Sequence, residues 1–236
     1  MELVNMPKLD NFVAIDWLSG PDKIYFFFKD TDTYSRFDIG NNKVPAGYPA
    51  PTRGNWDAFD PHTKNLLFGF TTTSSSLKSG LFDEDIAWLF FYDADTPTVC
   101  KYNQDKDKVS GFYKVADTHW SPILPYFDEI IAATWEGPRS GNSVIRFLLK
   151  GARYLSFHGT KHTLTLHKFG NDRLGALLPY HERIITAAKN DRIFADDYWY
   201  MFLTNNQYLV YNMDEDKLES GPHYVNEGNW PGLLRG

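Results

Sequence analysis

One cysteine, Cys100, in 236 residues leaves no partner for an intrachain disulfide, so packing and hydrogen bonding must hold the fold. Long apolar runs are also missing. Runs such as Ile24–Phe28 are only a strand's length, well short of the ~18 residues that suggest a membrane span. Positive charge is scarce: 24 Lys and Arg stand against 30 Asp and Glu, the net charge is −6, and no basic run exceeds two. That balance weighs against a phosphate-backbone partner, and no nucleic acid is expected. No G-x-S-x-G, H-E-x-x-H or glycine-rich phosphate loop occurs. Cys100 lies in the strand-like VCKYN and reads as a small buried hydrophobe. A Cys100–His119 pair is the one nucleophilic arrangement left open. The chain is therefore expected not to be an enzyme. The opening MELVNMPKLDNF carries an early acid and no apolar h-region. With the lone cysteine it leads to an expectation of a reducing, cytoplasmic setting, although a secreted form with its signal removed would read the same.

What the sequence has is aromatic residues, 17% of the chain, in short runs separated by Gly, Asn, Asp and Pro. KIYFFF, IAWLFFY, SVIRFLL, YLSF, HTLTL, YWYMFL and QYLVYN all read as strands. The one modest helix-like stretch is 177–190, interrupted by Pro179, with short helices expected near Asn55–Phe59 and Ser121–Leu124. The runs repeat. Tyr34 precedes Trp56 by the distance that separates Tyr208 from Trp230, and both tryptophans end a Gly-Asn-Trp tripeptide. Val13, Leu67, Ile131 and Ile185 each open a small-residue strand, and Trp56 and Trp120 stand equally far ahead of the next opening. The third unit has Leu174 at that place. The excess length of the second unit equals TTTSSSLKSG, residues 71–80, read as one exposed loop. An aromatic recurs in each third strand: Phe37, Tyr102, Phe157 and Tyr211. Four such units predict an all-β fold, a four-bladed β-propeller with short helices between blades. The expected layout is a single domain over 1–236, with blades near 10–60, 61–124, 125–178 and 179–236.

Two clusters invite a metal reading. His158, His162 and His167 are close in sequence, but alternation along HTLTLH places His162 and His167 on opposite strand faces. The Asp-x-Asp pairs at 30/32, 93/95, 105/107 and 214/216 lack the glycine and distal glutamate of a calcium loop, and Asp favours turns. The metal ligands are unassigned.

The first unit, YFFFKDTDTYSRFD followed by AGYPAPTRGNW, resembles the hemopexin-like repeat. The second unit keeps WLFFYD, KYN and HW but has no GYP, and the third loses both GYP and Trp. The family opens its blades with Asp-Ala, whereas this chain has Val13-Ala14, Leu67-Phe68, Ile131-Ala132 and Ile185-Thr186. Members that tie blades one and four with a disulfide need two cysteines, so closure here falls to strand pairing and packing. The resemblance implies a central tunnel lined by the innermost strands, whose backbone carbonyls can hold a cation or water. Ala14, Gly69, Ala133 and Ala187 suit such a lining, as they would also suit four strands converging on one axis.

The expected function is non-enzymatic ligand binding of hemopexin-like type. Cation, polyamine or haem binding in or at the tunnel is the leading form, with calcium, sodium or haem as the candidate cofactor. The acidic balance suits a polyamine. The alternative is a glycan-binding lectin or toxin-associated recognition module that uses exposed aromatics between blades. Trp17, Trp135 and Tyr224 fall outside the aligned strand positions and are the expected surface recognition residues. The partner is then a small molecule, a glycan or another protein, and the protein is a monomer or homodimer.

Overall fold

The computed structural model describes residues 9–74, 84–136, 143–159, 161–190 and 197–234. Sixteen strands are named within it, and each sheet is built from four consecutive ones. Blade 1 comprises β1 (Phe12–Trp17), β2 (Lys23–Phe28), β3 (Thr33–Asp38) and the two-residue β4 (Ala50–Pro51). Blade 2 comprises β5 (Leu66–Ser74), β6 (Glu84–Asp93), β7 (Thr96–Asn103) and β8 (Lys108–Lys114). Blade 3 comprises β9 (Ile130–Glu136), β10 (Val144–Leu149), β11 (Arg153–His158) and β12 (Thr163–Lys168). Blade 4 comprises β13 (Ile184–Asn190), β14 (Tyr198–Leu203), β15 (Gln207–Asn212) and β16 (Lys217–Tyr224). All neighbouring strands pair antiparallel, as the alternating apolar runs and short turns dictate.

The first strand of each blade packs against the first strand of the next, and β13 returns to β1. The chain is a four-bladed β-propeller. No strand from one end of the described chain completes the sheet at the other. Closure uses packing and long-range backbone donors, among them Leu9, Ala14 and Val44. Leu9 N–H reaches Asn206 Oδ1 at 2.7 Å, and Val44 N–H reaches Pro231 O at 2.8 Å.

The apolar residues gather into four cores, one between each pair of neighbouring blades. This follows from period-two alternation: a sheet buried on both faces contributes each face to a different neighbour. Three 3-10 helices, Asp57–Asn65, Ser121–Glu129 and Gly175–Arg183, lead into β5, β9 and β13 and bury Phe59, Phe127 and Leu177.

Two expectations need correction. The helix-like stretch 177–190 divides at Arg183, and Ile184–Asn190 is the innermost strand of blade 4. Its small and β-branched residues converge on the axis, and tertiary packing overrides its modest helical pattern. The expected loop over 71–80 begins as strand: β5 runs to Ser74, pairing with Glu84, and Thr71 is buried. The remainder, 75–80, lies outside the described residues.

Candidate ligand seats at the axis and between blades 4 and 1

Register relates the four inner strands. Ala14 pairs with Phe26, Gly69 with Leu89, Ala133 with Phe147 and Ala187 with Met201, so the four small residues occupy one level of the ring. The side chains of Ala14, Ala133 and Ala187 each belong to the core shared with the preceding blade. A Cβ on Gly69 would meet Ile15 Cδ1 at 2.7 Å and Trp88 O at 2.9 Å. Close approach of the preceding inner strand therefore sets the size at this position. Ala14 N–H is capped from blade 4 by Thr186 Oγ1 at 3.1 Å.

One mouth of the axis is a depression of about 450 Å³ whose lining includes Val13, Leu67, Ile131 and Ile185, one from each blade. In blades 2, 3 and 4 that residue falls where the register slips, whereas β1 pairs without a slip. Lys29, Lys150 and Asp128 edge the depression. Lys150 donates to Asp128 O at 3.0 Å. The Tyr92 hydroxyl donates to Asp128, and burial together with this bond pushes its pKa up to about 12. The opposite end of the inner strands is polar. Thr71 donates from N–H and Oγ1 to Asp16, and Lys189 bridges Trp135 O at 3.3 Å and Asp197 at 3.2 Å. A carboxylate and an ammonium with few waters around them need such partners.

The second seat lies where blade 4 meets blade 1. A recess of about 300 Å³ is lined by Phe37, Ile39, Asn42, Tyr200, Tyr208, Val210, Asn229 and Trp230. Trp230 is held edge-on by Tyr200 at 5.3 Å and Tyr208 at 5.5 Å, and is tilted against Phe37 at 4.5 Å. Asn229 is committed to its turn, giving Nδ2–H to Tyr224 O at 2.7 Å and accepting from Asn226 N–H at 2.9 Å. Burial raises the Tyr208 pKa, so that hydroxyl stays neutral at any ordinary pH.

The sequence-derived surface residues separate. Trp17 is only 6% exposed. It packs on Tyr25, Trp56 and the next blade's Tyr102, which corrects its expected exposure. Trp135 is half-buried and gives its indole N–H to Ser143 Oγ at 2.8 Å. Tyr224 is 64% exposed at the end of β16. The structure does not bring the three together in one core.

The other chemical candidates disperse in the same way. His167 stacks on Tyr154 at 4.7 Å and bonds Asp172, whereas His162 lies near His119 at 6.0 Å. Among the described residues no group of three His, Cys, Asp or Glu could hold a metal. Cys100 is fully buried in the core between blades 1 and 2, away from His119, and burial pushes its thiol far above the ordinary range. The second aspartate in three of the Asp pairs works in a turn at positive φ: Asp32 accepts from Thr52, Asp107 from Tyr102 and Asp216 from Tyr211.

No family model and no curated protein matches the chain. Among solved structures 57 chains match. One is a crystal structure of BBS1N in complex with ARL6DN, soaked with lead, at 7% identity and a TM-score of 0.30. The alignment covers 88% of this chain but only 65% of that one. Among the described residues no helix is long and apolar enough to cross a membrane.

Proposed function

We propose that this propeller is a non-enzymatic recognition module of hemopexin-like type, and that it holds a ring-shaped ligand in the recess between blades 4 and 1. One observation carries the reading: a concave site of about 300 Å³ has an aromatic floor of Phe37, Tyr200, Tyr208 and Trp230 and a rim that includes Asn42. Aromatic floors stack flat ligands, and a few amides orient them. The site sits between blades, as the glycan alternative requires, but uses none of the three surface residues named from sequence.

The tunnel reading has less behind it. A cation, polyamine or haem iron entering at the axial mouth would meet four aliphatic side chains, the ammonium groups of Lys29 and Lys150, and one carboxylate, Asp128, which already accepts from Tyr92. One engaged carboxylate beside two ammonium groups, with no imidazole in the lining, is a poor seat for a cation.

Spectral titration tests the choice. Methyl resonances of Ile39 and Val210 report the recess, and those of Val13 and Ile131 report the axial mouth. A panel of indole, phenol and methyl glycosides is expected to shift the first pair. Shifts confined to Val13 and Ile131 with spermine, calcium or haem would return the function to the tunnel.

A further inference from the structure

Resting on that reading, we infer that the occupant of the recess is a small molecule carrying a fused aromatic ring of indole size with a ring N–H. The template is inside the chain. Register makes Tyr25 and Tyr102, at the junction of blades 1 and 2, the counterparts of Tyr200 and Phe37, at the junction of blades 4 and 1, and the shared Gly-Asn-Trp tripeptide makes Trp56 the counterpart of Trp230. At the first junction the indole of Trp17 lies against all three, with centroids at 4.8, 5.7 and 5.8 Å. Trp17 pairs with Lys23, and its counterpart in blade 4, pairing with Tyr198, is Asn190.

Asn190 touches the floor through the Tyr200 hydroxyl and is not itself in the lining, whereas two further exchanges fall on the lining of the recess. Arg36, which lies over Tyr48 and pairs with Asp38, is matched by Val210. Gln104, which caps Leu18 N–H and Ser19 N–H, is matched by Ile39. Val210, Ile39 and the three aromatics all line the recess. The chain thus builds one aromatic box twice, supplying the ring itself in one copy and replacing it with a short amide in the other.

The junction of blades 2 and 3 repeats the theme. There the His119 imidazole lies 5.8 Å from Trp88, 4.1 Å from Trp120 and 6.4 Å from Phe157. A ring is again what this box receives. Asn190 adds the polar detail. Its Nδ2 donates to the Tyr200 hydroxyl at 3.3 Å, and its buried Oδ1 has no hydrogen-bond partner among the described residues. A buried acceptor beside the floor suits a ligand that brings an N–H.

The experiment titrates the full chain with indole and, separately, with methyl β-D-glucopyranoside, following the Ile39 and Val210 methyl resonances. Indole is expected to shift them, and Asn190→Trp is expected to abolish the response by placing a ring there in cis. Should Asn190→Trp fail to fold, Val210→Arg restores the side chain of the other junction and is expected to weaken indole by about tenfold or more. Glucoside binding without indole binding would overturn the ring class and leave the recess standing. No response to either probe would overturn both. Indole binding that neither variant weakens would place the ligand elsewhere and overturn the inference.

Discussion

The junction of blades 1 and 2 and the junction of blades 3 and 4 occupy equivalent places in one ring and solve them with opposite chemistry. In the first, Trp17, Tyr25, Trp56 and Tyr102 interlock as tilted and edge-on rings. In the second, register sets Glu136 at the place of Trp17, Arg146 at that of Tyr25 and Leu174 near that of Trp56. Glu136 holds both Arg146 and Arg173, and Arg173 continues to Asp216, which also accepts from Leu174 N–H and Tyr211. The backbone specifies a volume to be filled and leaves the chemistry open. Rings fill it with contacts worth ~0.5–1.5 kcal/mol per pair beyond burial. Ions fill it only when every charge has a partner, because the loss of water is otherwise uncompensated.

The largest break in this comparison is expected from Trp56→Ala. Removing a 3% exposed ring that touches both blades should cost ~3–5 kcal/mol, seen as a lower urea midpoint with an unchanged slope. Glu136→Ala comes next. It strands Arg146, whose side chain is 11% exposed, beside Arg173, and should cost ~1–3 kcal/mol, an effect that high salt screens poorly. A sharper test exchanges the chemistry itself. Glu136→Trp, Arg146→Tyr, Arg173→Asn and Leu174→Trp together should land within ~1–2 kcal/mol of the parent, whereas Arg146→Tyr alone should be worse than the set.

The smallest effect concerns His119, at the junction of blades 2 and 3. Partial burial and then the neighbouring His162 lower its pKa below 6.5. The unfolded chain therefore takes up a proton at higher pH than the folded one, so stability is full above about pH 6.5 and falls as the solution is acidified below it. His119→Gln should flatten that slope by less than ~1 kcal/mol, measured as urea midpoints at two pH values.

The ring of four units was legible because it rests on positions that repeat: the paired second strands, the third-strand aromatics and the tryptophan ahead of the next unit. Val13, Leu67, Ile131 and Ile185 do gather at one mouth, yet they are not strict register mates. A slip of one residue in β5, β9 and β13 leaves no trace in a pattern of spacings. Trp17 was misread because its partner Tyr102 belongs to another blade, and contacts across blades have no local period. The recess was hidden for a related reason. It arises from what Asn190, Val210 and Ile39 are not, on two blades at opposite ends of the chain, and becomes visible only when each is set beside Trp17, Arg36 and Gln104.

Closure without an exchanged strand among the described residues gives that recess a dynamic meaning. Blades 1 and 2, 2 and 3, and 3 and 4 are tethered by continuous polypeptide, whereas blades 4 and 1 meet through a core shared by Leu9 and Leu233 and a few hydrogen bonds. Breathing of the ring should begin at this seam, with the amides of Ala14 and Val44 exchanging with solvent ahead of those in the second and third blades. A molecule wedged between Phe37 and Tyr200 would act as a latch on that seam, slowing exchange on both sides of it at once.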